Sequence, residues 1–318
     1  MLGLLLYVVI ALVSDVQRLA ERLTEWPWLW LPLVLGLTLV NYAGRLFKWN
    51  WYLQLLQVPI SYWDATRIFG VGMLMVMTPG KAGEFLKSYM VKNVTETPMS
   101  VTAPAVLAER ITDGMAMLLL AGAGLFLFPD PVARSVATLV FIGFLVFIIV
   151  IQIRPLALWS LQIGQKLPVV RKFAAGLYEF YESSYVIFRP RNLLIALGIG
   201  LISWAAEGLA YYVVLTGFGA PPGPETAGIA IFIFSISVVI GAVFAMPGGL
   251  GGVEGSLVAL SSRLFALDLT TATAAALLVR FCTLWFGVGL GVISFFLWSD
   301  LLAGSGTVQR EQQLASAD

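Results

Sequence analysis

Long apolar runs broken at intervals by proline, glycine and charge restrict what this chain can fold into. Residues 192–218 and 271–298 are each long enough to cross the ~30 Å hydrocarbon core of a bilayer, which takes about 20 residues of helix. Backbone groups at that depth must be hydrogen-bonded within the protein, so such segments fold as packed helices. With 59% hydrophobic and 12% charged residues and a mean hydropathy of +0.89, too little polar surface is left for a water-soluble globule. The fold class expected is therefore an all-α polytopic membrane protein.

Two apolar segments do not run through. In 242–254, AVFAMPGGLGGVE, Pro247 breaks the preceding helix and the glycines can bring bare backbone N–H groups toward a ligand. In 77–84, MTPGKAGE, a Met again precedes a Pro, with Gly next and Glu following. The Pro-to-Glu interval is five residues in the earlier stretch and seven in the later one, so the internal similarity is weak. Either break alone is also what a short loop between two spans looks like. Two broken helices flanked by charge suit a transport site better than a packed soluble core.

Along the chain, 1–13 reads as a first spanning or partly spanning helix rather than a removed signal peptide, and 14–25 as a short amphipathic surface helix. A second span runs from Pro27 to about Leu46, its far interface marked by Arg45, Lys48 and the cluster Trp49, Trp51 and Tyr52. Residues 64–93 suggest a re-entrant hairpin, because the apolar part is too short to cross and the chain turns polar after Pro79. Spans follow at 102–128 and 132–153, then an amphipathic surface segment at 154–191 and a span at 192–218. A second hairpin occupies 227–265, although 229–245 is nearly long enough to cross, and 271–298 is the last span. Residues 1–303 form a single transmembrane domain, and 304–318 a short disordered tail.

Segments 45–98 and 154–191 carry six basic residues each, against two, one and none in 14–26, 129–135 and 218–226. The positive-inside rule puts the two basic segments and both termini in the cytoplasm. The path is then about six crossings plus two opposed re-entrant hairpins, or eight crossings if both hairpins span, an arrangement that suggests an inverted repeat.

Charge inside the spans marks the candidate site. Glu109 and Asp113 share a helix face, and Arg110 can pair with Asp113. Glu207 stands near the middle of a span, where an unpaired ionised carboxylate costs about 2.5–3.5 kcal/mol. The expected substrate-binding set is Lys81, Glu84, Glu109, Arg110, Asp113, Glu207, Gly248, Gly249, Gly251, Glu254 and Arg280, with cations to hold a phosphate and glycine N–H groups as donors. A lone cysteine, Cys282, excludes an intrachain disulfide and a multi-cysteine metal site, and the absence of histidine removes His-based triads and His-ligated zinc or haem. No Walker-type phosphate loop is present, no cofactor is expected, and a net charge of +1 gives no nucleic-acid signal.

The stretches PGKAGEFLKSY, AERITDG and MPGGLGGVEG, in this order, resemble the lysylphosphatidylglycerol synthase transmembrane-region family, also described as flippase-like integral membrane proteins, over roughly residues 3–298. The positions carrying the resemblance are Pro79, Gly80, Gly83 and Glu84, then Glu109, Arg110 and Asp113, then Pro247, Gly248, Gly249, Gly251 and Glu254; Lys87 stands where family members often have Arg. The sequence lacks the soluble aminoacyl-transferase domain of the bifunctional members, which argues against a synthase. The resemblance implies a lipid translocase in the bacterial cytoplasmic (inner) membrane, moving a phospholipid, a polyprenyl-phosphate-linked or a hopanoid-type amphiphile between leaflets. The alternatives are a membrane enzyme acting on a lipid headgroup, with Glu84 or Glu254 as base and Lys81 or Arg110 holding phosphate, and a non-catalytic partner of a lipid-modifying enzyme. A homo-oligomer is compatible with each.

Overall fold

The computed structural model describes residues 16–125, some positions between 135 and 149, and 168–302 apart from 245; side chains of residues 16, 79–81, 125 and 168–175 are outside that description. The expected helix at 1–13, most of the span at 132–153, the segment 154–167 and the tail at 304–318 lie outside the described residues. The described helices are α1 (Val16–Glu25), α2 (Leu31–Leu55), α3 (Tyr62–Leu74), α4 (Leu86–Thr95), α5 (Met99–Leu125), α6 (Pro168–Ile187), α7 (Pro190–Gly217), α8 (Pro224–Val243), α9 (Gly252–Leu264), α10 (Leu269–Arg280) and α11 (Phe286–Leu297). A five-residue π turn, Phe281–Trp285, joins the last two into one continuous helix.

Local chemistry sets the helix starts. The Ser61 hydroxyl accepts from the Asp64 N–H at the head of α3, and the Asp268 carboxylate accepts from the Thr271 N–H at the head of α10. Pro32, Pro190 and Pro224 occupy first turns, where no intrahelical donor is needed. Among the described residues, four helical stretches are long and apolar enough to cross a membrane: Trp28–Leu55, Pro190–Gly217, Pro224–Val243 and Leu269–Leu297. The 27-residue α5 has the length, about 40 Å, but Glu109, Arg110 and Asp113 fall inside every window that could span.

Both broken segments are helix, turn, helix. In the first, α3 and α4 reach only about 20 and 15 Å, are joined by 3₁₀ turns at Met75–Met77 and Pro79–Phe85, and pack against each other. In the second, α8 and α9 flank the turn Pro247–Gly249 and also pack together. Here the first arm is longer than expected: α8 has 20 residues and reaches about 30 Å, enough to cross.

The contacts recur in two sets about a central pair, α2 against α7. In one set α3 packs on α4 and α4 on α5; in the other α8 packs on α9 and α9 on α10. The sets interlock through α5 on α8 and α11 on α3. Even the flanking helices correspond, since α1, which precedes α2, lies on α10, while α6, which precedes α7, lies on α5. Tyr181, Ser184 and Phe188 of the expected amphipathic stripe are buried, whereas Leu177 faces outward. The turns of the two breaks touch each other.

Close helix approach is carried by small residues, as packing in lipid requires. A Cβ at Gly291 on α11 would stand 2.4 Å from the Leu74 backbone nitrogen, whereas one at Gly289 meets nothing within 4 Å. Gly291→Ala is therefore expected to destabilise by about 1–3 kcal/mol through overpacking against backbone that cannot rotate away, and Gly289→Ala to leave stability unchanged or raised. Thermal unfolding of the two variants in the same detergent checks this, and equal shifts would refute the close contact.

Candidate functional site

The two breaks and the α2–α7 pair enclose a cavity of about 310 Å³. Its apolar wall includes Phe69, Met73, Met117, Trp204, Phe234 and Val238, and its polar wall Arg45, Glu84, Lys87, Arg110, Asp113, Glu207 and Arg280. Gly248 and Gly249 of the second break line it as well.

On the polar wall four cations meet three carboxylates. Glu109, fully buried, accepts from Lys87 at 2.5 Å, Arg110 at 2.8 Å and Arg45 at 3.1 Å. Asp113 pairs with Lys48, itself fully buried and 3.2 Å from the Thr112 hydroxyl. The other Asp113 oxygen lies 3.7 Å from both Arg45 and Arg110, with no hydrogen bond to either. Arg110 also stands 3.1 Å from Glu84 Oε2, without hydrogen-bond geometry. Gly72 makes the space for Lys87, whose stem would lie 2.7 Å from a Cβ there, and the ammonium sits 4.5 Å over the Trp49 ring.

The second break is held differently. Arg280 Nε donates to Glu254 Oε1 at 2.7 Å and its Nη2 to the Gly248 carbonyl at 2.5 Å. The remaining Glu254 oxygen accepts from the Gly251 N–H at 2.7 Å, closing the N-terminus of α9. Gly248, Gly249 and Gly251 all have φ between +61° and +86°, so the turn is open to glycine and strained for any residue with a Cβ. The first break has a corresponding carboxylate–arginine pair: Glu84 with Arg110 and Glu254 with Arg280 are each 26 residues apart.

Of the expected residues, Glu84, Arg110, Asp113, Glu207, Gly248, Gly249 and Arg280 line the one cavity; Glu109 lies behind the wall as the hub of the ion pairs, and Gly251 and Glu254 hold the turn. The Lys81 side chain lies outside the described residues. Of the expected glycine donors, Gly249 N–H goes to the Met246 carbonyl and Gly251 N–H to Glu254; in the first break Gly83 N–H goes to the Thr78 hydroxyl.

Three cations of the ion-pair network, Arg45, Lys48 and Lys87, lie outside the expected binding set. Arg45 and Lys48 are not interface markers: α2 runs on to Leu55, which turns both inward, and Trp49 and Tyr52 are buried with them. Their i, i+3 spacing was the available signal, hidden by ending the helix near Leu46. Lys87 turns inward from α4. Glu109→Gln, which leaves Lys87 and two arginines short of a carboxylate, is expected to cost about 3–5 kcal/mol of stability. Adding Lys87→Met should recover part of that loss. Unfolding midpoints of wild type, single and double variants test it; a single variant as stable as wild type would remove Glu109 from the centre of the network.

The sequence profile of the family described as the lysylphosphatidylglycerol synthase TM region matches residues 1–291. A UPF0104 membrane protein of Methanothermobacter thermautotrophicus is 24% identical over 315 aligned positions, covering 92% of this chain and 90% of the relative. A UPF0104 membrane protein of Methanocaldococcus jannaschii is 23% identical over 224 positions, covering 70% of this chain and 92% of the relative. With its crossing helices, two joined breaks and buried charge cluster, the chain is a multi-pass membrane protein that belongs to the lysylphosphatidylglycerol synthase TM region family.

Proposed function

We propose that this protein is a lipid translocase, passing an amphiphile with a phosphate-bearing headgroup between membrane leaflets rather than modifying it covalently. The observation that carries the reading is the cavity itself: two interrupted helices and an array of buried cations face an apolar wall in one space between the crossing helices. A headgroup needs the charged side of such a space, and acyl or prenyl chains can stay on the greasy side or in lipid. Membership of a family named for the transmembrane region of a lipid synthase fits a lipid substrate.

In this reading the two broken segments are opposed re-entrant hairpins, and the two sets of helix contacts are the halves of an inverted repeat. The short arms α3, α4 and α9 favour hairpins, since none reaches the thickness of the core. Irregular backbone at depth is then satisfied by protein and by the cavity. Movement would expose the cavity first to one leaflet and then to the other as the halves exchange shapes. Glu207, on α7 and lining the cavity, is the mid-span carboxylate that this reading assigns to respond to the headgroup or to a proton. The protein sits in the bacterial cytoplasmic membrane with both termini inside; the relatives compared are archaeal, and the same charge bias orients proteins in that membrane type.

Reconstituted into liposomes, the protein should speed exchange of a fluorescent phospholipid between leaflets with no new headgroup product by mass spectrometry. Glu207→Gln should slow exchange at least about tenfold, the loss of one charge-assisted contact, at equal folded abundance. A product with a changed headgroup would turn the reading to catalysis, and wild-type rates in Glu207→Gln would remove that residue from the pathway. A reporter inserted after Arg171 should be cytoplasmic; an external location inverts the topology.

A further inference from the structure

Tyr42 in α2, which ends at Leu55, and Trp204 in α7, which ends at Gly217, each stand thirteen residues before the end of their helix, and both line the cavity. Tyr42 is bonded: its hydroxyl donates to the Thr283 carbonyl within the π turn Phe281–Trp285, and its ring stacks on Phe286 with centroids 6.2 Å apart. The hydroxyl is wedged against the helix, since a Cβ at Gly287 would stand 2.5 Å from it. Thr283 and Gly287 are an i, i+4 pair of the kind a regular α turn joins, and a side chain inserted into that ladder distorts it. Trp204 is not bonded. Its side chain is buried in one apolar cluster with Ala116 and Met117 of α5, and its Nε1 has no acceptor among the described residues.

The helices that Tyr42 and Trp204 face differ in the same sense. α2 packs on the π turn and α7 on α5. Residues 281–285 follow Arg280 as 111–115 follow Arg110, yet the former are a π turn and the latter lie within unbroken α-helix. Thr283 thus corresponds to Asp113, each three residues past its arginine. A π turn holds one extra residue, so rewinding it rotates Arg280 by about 100° relative to α11, which takes the guanidinium off the Gly248 carbonyl. Leu284 in the same turn would stand 3.2 Å from a Cβ at Gly248, so the distortion bears on the second break as well as on its arginine.

We propose that Tyr42 and Trp204 are paired positioning residues that decide which half of the molecule carries the π turn. In the present state Tyr42 holds it at 281–285. In the opposite-facing state the Tyr42 bond is released, 281–285 rewinds to α-helix, a π turn forms at 111–115, and the Asp113 carbonyl that it frees accepts from Trp204 Nε1. Each state pairs one of the two buried donors and leaves the other waiting, which accounts for an indole N–H buried without an acceptor. The exchange rests on the inverted-repeat translocase reading and names the element that moves in it.

Accessibility of the cavity from the two membrane faces tests the exchange. The reporter is Val76→Cys, on the cavity lining, in a Cys282→Ala background that removes the chain's own thiol. Its labelling by a membrane-impermeant maleimide is compared between spheroplasts and inside-out vesicles of a bacterial host. Tyr42→Phe, which keeps the ring and loses the donor, should move the ratio of the two labelling rates by about fivefold, the worth of one neutral hydrogen bond. Trp204→Phe should move it by a similar factor in the other direction, and the double variant should return near the parent. Loss of fold cannot produce shifts of opposite sign. Shifts of the same sign, or none in either variant, overturn the proposal. Opposite shifts without leaflet exchange in liposomes would keep the moving π turn and reject translocation; leaflet exchange with an unmoved ratio would do the reverse.

Discussion

Glu109 holds the first half of the molecule together. Bringing Arg45, Lys48 and Lys87 out of water costs several kcal/mol for each ion unless opposite charge meets it at short range. Glu109 takes three of the surrounding cations and Asp113 the fourth, so the relative placement of α2, α4 and α5 follows from ion pairing as much as from apolar packing. Other features serve that cluster. Gly72 lacks a Cβ where the Lys87 stem passes, and the Thr112 hydroxyl satisfies another Lys48 proton. This is also why α5 can belong to a membrane protein while carrying three charges: they face protein and cavity instead of lipid.

The second half uses the same plan with fewer charges. Arg45 and Glu207 each stand ten residues before the end of their helix, and Asn41 and Ser203, equally matched, meet directly where α2 crosses α7. Matched positions of the two helices thus place a basic residue and an acidic residue on the cavity. The halves differ in their turns too: three glycines at positive φ and a fully engaged arginine fix the second, whereas the Thr78 hydroxyl, accepting from Gly83 and donating to Met75, pins the first.

Much of this was legible in the chain. The spans at 192–218 and 271–298 correspond to α7 and to α10 with α11, because an apolar run of that length has few other ways to satisfy its backbone. The Pro and Gly breaks, with Glu207 and Arg280, point to one chamber, and those side chains line one cavity with residues of both breaks. Charge near a helix end was harder to read. Arg45 and Lys48 sit beside aromatic residues, the usual signature of an interface, and only the neighbouring acidic helix shows that they point inward. The equal Glu-to-Arg spacing stands in the sequence, but only the fold shows that each glutamate meets the arginine 26 residues on. Glycine donors are hard to read for a related reason: sequence reveals that a loop can expose N–H groups, not whether neighbouring oxygens accept them, as they do at Gly249 and Gly251.

Arg280, bonded to its glutamate and to a carbonyl, and Arg110, which meets Glu84 without hydrogen-bond geometry, bear on how a translocase of this design could move. In a low-dielectric site neither arginine can be stripped of its partners without a replacement arriving at nearly the same moment. A backbone carbonyl, a carboxylate and a headgroup oxygen can each accept from a guanidinium, so on the translocase reading a headgroup oxygen could replace a protein acceptor on one arginine while the other keeps its own. Because the two breaks touch, with a Cβ at Gly248 only 3.1 Å from the Met77 sulfur, a change of shape in one turn is felt directly by its counterpart. On the translocase reading, the headgroup supplies differential binding to the two states, which is what shifts a population between them. Tight binding in only one state would hold the lipid there, so on this reading the two states must differ in affinity by little enough for the lipid to leave.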